Sequence, residues 1–131
     1  MSDKRLKLGQ FGERVAVAHL ESKGYRILAR NFRCREGEID IIAQSDGCLV
    51  FVEVRTRRGD AMGSAADSLT PLKGARISAV ADAYCDGSPD SPEERRIDVI
   101  AVDLTPQGRL LRLEHIENAF SSDELPELSR C

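Results

Sequence analysis

The dipeptide Asp46-Gly47 lies between two apolar, β-branched runs, Ile39 to Ala43 and Leu49 to Val54, and no other feature constrains the fold as much. Asp-Gly in that setting is a strong signal for a two-residue hairpin loop, because both residues tolerate the positive φ that the turn needs. Such a loop also sets a register. With Ser45 facing Cys48, counting back along the strands puts Ile42 opposite Phe51, Asp40 opposite Glu53 and Glu38 opposite Arg55, all six on one sheet face.

The rest of the chain supplies partners for this hairpin. Leu8 to about Lys23 reads as a helix stopped by Gly24, with Leu8, Phe11, Val15 and Ala18 along one stripe and Ala16, Val17 and Leu20 along a second. Glu13 falls on the second stripe, where an ionised carboxylate is costly unless it meets a cation or a metal. Tyr25 to Arg33, Glu38 to Gln44 and Leu49 to Arg55 read as three consecutive strands in a meander. A second helix opens near Asp67 to Thr70, with Thr70 as N-cap and Pro71 at the first helical position, and runs through Ile77, Val80 and Tyr84 to Asp86-Gly87. Ser88 to Glu94 is a loop, Arg96 to Asp103 a strongly apolar strand, and Leu110 to Ile116 a last strand after the Pro106-Gln107-Gly108 turn. The order helix, three strands, helix, two strands predicts a mixed α/β domain with a central sheet.

At 131 residues the chain is the size of one domain, expected to span residues 1–131 with a short acidic tail from about residue 121. It holds no apolar run long enough to cross a bilayer and no signal-peptide core, so a soluble, cytoplasmic protein is expected. Cys34, Cys48, Cys85 and Cys131 are scattered singly, which supports neither a zinc site nor a disulfide framework, and they read as inert thiols. His19 and His115 are the only histidines and read as packed or surface residues. The net charge of −3 argues against a strongly electrostatic nucleic-acid binder, but the charge is uneven. Residues 1–60 carry 12 Lys and Arg against 9 Asp and Glu, and residues 61–131 carry 7 against 13, so a polyanion would meet the first half.

In the expected register Asp40 and Glu53 face each other, and like charges opposed in a sheet destabilise it. Partly buried by Ile42 and Phe51, they should raise one another's pKa or bind a cation. Mg²⁺ or Mn²⁺ suits such a pair, because these ions take one or two carboxylates and complete their shell with water and a substrate phosphate. Val50, Val52 and Val54 fill the other face, which leaves Glu53 and Arg55 as polar insertions in an apolar strand. The bland readings are a surface ion pair between Glu53 and Arg55, a cross-strand salt bridge between Glu38 and Arg55, and structural support from Arg96 and Asp98.

The stretch Gly37-Glu38-Ile39-Asp40-Ile41-Ile42-Ala43, followed by Phe51-Val52-Glu53-Val54-Arg55-Thr56-Arg57, closely resembles the UPF0102 family, also called the YraN family. Gly12-Glu13, Asn31-Phe32-Arg33, Lys73 and Arg96-x-Asp98 extend the resemblance over about residues 9–103. That family is similar to the restriction-endonuclease-like superfamily, which includes archaeal Holliday junction resolvases and carries a PD-(D/E)xK active site. The resemblance implies a central mixed sheet of about five strands flanked by helices, with the motif aspartate at Asp40, the acidic residue at Glu53, the basic position at Arg55 and the helical glutamate at Glu13. The superfamily usually has lysine where this chain has Arg55.

The activity so implied is metal-dependent phosphodiester hydrolysis, with Asp40 and Glu53 holding Mg²⁺ or Mn²⁺ and Glu13 binding metal or orienting water. Arg55 would stabilise transition-state charge, Lys73 would add an ammonium, and Arg30, Arg33, Arg35, Arg57, Arg58 and Lys73 would hold the nucleic-acid backbone. DNA, in branched form, is the first partner to expect, with a homodimer allowed and no membrane involved. The alternative is a catalytically inactive nucleic-acid-binding or adaptor protein of the same fold. A metal-free interaction protein would leave the Asp40 and Glu53 pairing unexplained.

Overall fold

The computed structural model describes residues 2–59, 70–87 and 94–120. The acidic tail, Cys131, the opening at residues 67–69 and most of the expected 88–94 loop lie outside these residues. Two helices and five strands follow the expected order: α1 (Ser2–Ser22), β1 (Arg26–Cys34), β2 (Gly37–Ser45), β3 (Cys48–Arg58), α2 (Pro71–Asp86), β4 (Arg95–Leu104) and β5 (Leu110–Ile116). Helix α1 begins six residues before the expected Leu8, and β3 runs three residues past Arg55. The apolar pattern could not mark either extension, because Lys4, Arg5, Lys7, Arg57 and Arg58 carry none. The helix ends sit where the caps put them: Gly24 follows α1 at φ 88, and the Thr70 side chain accepts the Lys73 N–H at the start of α2.

The strands form one sheet in the order β1-β2-β3-β4-β5, antiparallel except for the parallel pair β3 and β4, which α2 connects. Each helix covers one face. Ala16 and Leu20 of α1 pack on Ile41, Ala43, Val50, Val52, Ile100 and Val102. Ile77, Val80 and Ala81 of α2 pack on Ile39, Ile42, Leu49, Phe51, Ile97 and Val99. Buried on both faces, β3 and β4 are near-continuous apolar runs, as a parallel pair requires. Burying a Leu, Ile, Val or Phe side chain is worth about 1.5–3 kcal/mol, so these two layers hold the sheet in place.

Cys34 and Cys85 are free thiols beside the α2 layer. Cys48 is disulfide-bonded, which corrects the expectation of thiols throughout.

Candidate active site

The hairpin register holds from Ser45↔Cys48 through Ile42↔Phe51 and ends at Ile41↔Val52. Asp40 is therefore not a ladder partner of Glu53, nor Glu38 of Arg55. The cause lies in the outer two strands. Ile41 packs with the α1 layer and Ile39 with the α2 layer, although residues two apart on a regular strand share a face. Opposite this break stands Asn31, at φ 52, between the pairs Arg30↔Ile41 and Phe32↔Ile39. Asparagine tolerates that conformation, and the two strands leave their regular pleat together.

Where β2 departs from β3, the Asp40 side chain takes over the missing bond: its Oδ2 accepts the Val54 N–H at 2.8 Å. The carboxylate satisfies a donor that the ladder would have satisfied and is drawn into the fork. Burial pushes its pKa up to about 7; the Val54 N–H opposes that rise, and Glu53, Glu13 and Glu38 add to it. The expectation of a raised pKa at Asp40 and Glu53 holds, but burial is the main cause at both; Glu53 adds to the rise at Asp40, and Glu38 adds to that at Glu53.

Glu53 and Arg55 form an ion pair, Arg55 Nη1 to Glu53 Oε2 at 3.2 Å, and both are partly buried. Burial raises the Glu53 pKa, while Arg55 and Lys73 pull it down. Lys73, in the first turn of α2, thus shares the electrostatic neighbourhood of Glu53. Its own pKa is lowered by desolvation and by Arg55, with Arg57 and Arg76 acting in the same sense. Glu38 instead lies opposite Arg33 and pairs with it at 3.2 Å, at the exposed β1 and β2 edge.

Glu13 reaches the fork from α1. The helix comes close because Gly12 is buried against β3: a Cβ there would lie 2.0 Å from Thr56 Oγ1 and 3.1 Å from Thr56 Cβ. The cation that Glu13 requires is Arg30, at 3.8 Å. Between α1 and the outer strands runs a cleft of about 530 Å³, lined by Gln10, Glu13, Asn31, Arg33, Glu38 and Asp40.

The structure thus brings Asp40, Glu53, Glu13, Arg55, Arg30 and Lys73 to one region, with Arg33 on the cleft wall. Arg35 sits in the exposed hairpin turn after β1, and Arg57 continues β3 beyond Arg55. Arg58 is turned to the far end of the sheet, where its Nε donates to the Pro106 carbonyl at 2.9 Å. Sequence reasoning gave no role to Gln10 or to the conformation of Asn31. An asparagine inside a strand pattern was the available signal for the latter.

Arg96 and Asp98 are structural, as expected. Asp98 is fully buried, and its carboxylate accepts from Arg96 at 2.8 Å, from His115 at 2.8 Å and from the Asn118 N–H at 3.0 Å.

Among the described residues no three His, Cys, Asp or Glu side chains stand close enough to hold a metal between them. What the fork offers is hard oxygen donors from two carboxylates, one already burdened by acidic neighbours. That set fits Mg²⁺ or Mn²⁺, which keep several water ligands and complete their shell on substrate phosphate.

A mixed five-stranded sheet between helices, with an acidic fork at the point where two strands part, defines a class of compact α/β domain. Residues 12–102 match the uncharacterised protein family UPF0102, and the chain belongs to that family. A UPF0102 protein of Roseiflexus castenholzii is 47% identical over 121 residues, covering 91% of this chain and 97% of its own. One from Pelotomaculum thermopropionicum is 46% identical over 120 residues, covering 92% and 100%. One from Symbiobacterium thermophilum is 46% identical over 114 residues, covering 87% and 96%.

Proposed function

We propose that the protein is a metal-dependent nuclease that hydrolyses phosphodiester bonds in nucleic acid, with branched DNA as the first substrate to test. One observation carries the reading: Asp40, held by the Val54 N–H at the fork, is buried beside Glu53, Glu13 and Glu38, and burial, with those neighbours adding to it, pushes its pKa up to about 7. A carboxylate in that position is poised to be relieved by a cation. In this reading Asp40 and Glu53 would hold Mg²⁺ or Mn²⁺, and the ion would supply water activation and charge neutralisation at the scissile phosphate. Glu13 orients the attacking water from the α1 side. The water oxygen would bond to phosphorus as it gives up one proton to solvent, the bond to the leaving oxygen would break, and that oxygen would take up one proton from solvent, so the two transfers balance.

Arg55 stays protonated and acts electrostatically on the phosphorane. Lys73, its pKa lowered by desolvation and by Arg55, would add a second positive charge beside Glu53. Arg30 and Arg33 border the cleft and would bind the phosphate backbone, with Arg35 and Arg57 further along it. Among the described residues no helix is long and apolar enough to cross a membrane.

A second reading has its own support. Arg55 at the position where the superfamily usually has lysine, together with a net charge of −3, favours a nucleic-acid-binding adaptor without catalysis. Mn²⁺ calorimetry on wild type and Asp40→Asn, followed by cleavage of branched and single-stranded DNA, separates the two. Binding and cleavage that both vanish in the variant support the nuclease; binding without cleavage supports the adaptor; absence of Mn²⁺ and nucleic-acid binding alike rejects both.

A further inference from the structure

We propose that two copies of the chain join through β5, edge to edge and antiparallel about a two-fold axis at Leu113, so that the sheet runs from one copy into the other. The inference does not depend on the reading of the acidic fork. β5 is the last strand of the sheet, and among the described residues only β4 pairs with it. Its outer side therefore offers backbone donors and acceptors to another strand. Leu110 and Leu111 are 50% and 69% exposed at its start, and the strand Leu110–Ile116 carries neither Lys nor Pro, the residues that commonly guard such an edge.

The charge pattern of β5 selects a second copy as the occupant. With the axis at Leu113, Arg112 of each copy faces Glu114 of the other, and Leu113 faces its own counterpart. Within one chain the two charges are unequally served. Arg112 stands opposite Asp103 and donates to it at 3.0 Å, whereas Glu114 stands opposite Ala101, is exposed, and has no ion-pair partner among the described residues. A second copy supplies the missing cation. Each row across the joined sheet would then read Asp103, Arg112, Glu114 of the second copy, with the signs alternating. On the other sheet face Leu113, opposite Val102, packs on the α1 layer, and meeting its counterpart would join the two cores.

Other pairings of the same kind are disfavoured. An axis at Glu114 or at Arg112 would set like charges against each other. At the opposite edge of the sheet, β1 carries Arg26, Arg30 and Arg33 with no acidic residue, and a register shift after Ile27 and the positive φ of Asn31 interrupt it. Two copies would repel there. β5 has one interruption of its own, since Leu111 is left over between the pairs Leu104↔Leu110 and Asp103↔Arg112. The regular part of the contact is therefore short, and the dimer should form and dissociate with protein concentration.

Analytical ultracentrifugation of the full chain from about 1 µM to about 1 mM should show monomer passing into dimer. Glu114→Arg, at an exposed position without an ion-pair partner, sets like charges opposite each other twice and should raise the dissociation constant at least about tenfold. Arg112→Glu, combined with Asp103→Asn so that the new carboxylate does not face another, should do the same. An equimolar mixture of these two variants restores both opposite-charge pairs and should form heterodimers where neither variant dimerises alone. Amide hydrogen exchange of the wild type, which needs no variant, should slow within Arg112 to Glu114 as concentration rises. A wild type that stays monomeric, a Glu114→Arg protein that dimerises as well as wild type, a mixture that stays monomeric with both variants folded, or exchange independent of concentration would overturn the proposal.

Discussion

Replacing Asp40 by Asn should stabilise the metal-free protein at pH 8 and do little at pH 4–5. Burial, with Glu53, Glu13 and Glu38 adding to it against the Val54 N–H, raises the folded-state pKa of Asp40 from its ordinary 3.8 to about 7. A group whose folded pKa is raised contributes stability that is present below the unfolded pKa and lost as pH rises through the folded one. At about 1.4 kcal/mol for each pH unit, the rise from 3.8 to about 7 corresponds to about 4 kcal/mol of stability lost between pH 4 and pH 7. Asparagine removes that charge and still offers an oxygen to the Val54 N–H, but a neutral acceptor gives up about 1 kcal/mol relative to a charged one. The net gain at pH 8 is thus about 2–3 kcal/mol, a large share of the ~5–15 kcal/mol stability of a domain this size. Urea unfolding of both proteins at pH 5 and pH 8, with chelator present, measures it directly. Saturating Mn²⁺ should narrow the difference at pH 8, because only the wild-type carboxylate gains from the ion. An Asn variant no more stable than wild type at pH 8, or a difference that stays the same from pH 5 to pH 8, would refute the argument that this carboxylate is held against its own electrostatics.

The other expectations concern the parts that surround it. Gly12→Ala should lose about 1–2 kcal/mol, the overpacking against Thr56 outweighing a gain in helix propensity. Stability measured for Gly12→Ala with Thr56→Ala should recover most of that loss, and no recovery would mean the close approach is not what the glycine serves. Asp98→Asn should cost about 3–5 kcal/mol in thermal or chemical unfolding, since it leaves the Arg96 charge buried without its carboxylate. Burial opposes ionisation of Asp98, but its bonds to His115, Arg96 and the Asn118 N–H win and hold its pKa below the usual carboxylate value. Its contribution is therefore present above that usual value and is lost on acidification, so a variant whose stability deficit is as large at pH 2 as at pH 7 contradicts this account. If the protein is a nuclease, Arg55→Lys should raise the cleavage rate at least about tenfold, because lysine can exchange a proton near neutral pH where arginine cannot. Equal rates in the two proteins would show that the basic position acts through charge alone.

Most of the architecture could be read from the chain because its signals are local. Thr70-Pro71 and Gly87 bracket α2, Asp46-Gly47 sets the turn between β2 and β3, and the apolar alternation of β2 to β4 marks three strands with little ambiguity. The register was correct for as long as the hairpin stayed regular and failed at Asp40, because the break is set by two strands together. Asn31 takes a positive φ, β2 changes face, and Asp40 bonds to a third strand. No periodicity within one segment encodes such an event. The approach of Glu13 was hidden for a similar reason. Its position depends on Gly12 meeting Thr56, 44 residues away, and sequence shows a glycine in a helix only as a small loss of propensity. The pairing of His19 with His115, separated by 96 residues, leaves no trace in spacing.

The two aspartates of the sheet show what separates structural from functional polarity here. Asp98 is fully buried, yet it is met by a guanidinium, an imidazole and a backbone amide, and its pKa falls. Asp40 is met by one backbone amide and by acidic neighbours, and burial, with those neighbours adding to it, raises its pKa. A protein selected for stability alone has simple remedies at Asp40, since an asparagine, or a cation in place of one of the glutamates, would relieve the repulsion. Instead three backbone-level features converge on it: a left-handed Asn31, a helix brought close by Gly12, and a strand that gives up its ladder to free an amide. Local strain and unresolved charge gathered at one point, in a fold otherwise consistent from propensity to packing, is the pattern expected where a ligand completes the structure. By the same reasoning, that ligand should be cationic and should bind more tightly as pH rises through 7, and the Mn²⁺ titration can be repeated at pH 6 and pH 8 to see whether it does.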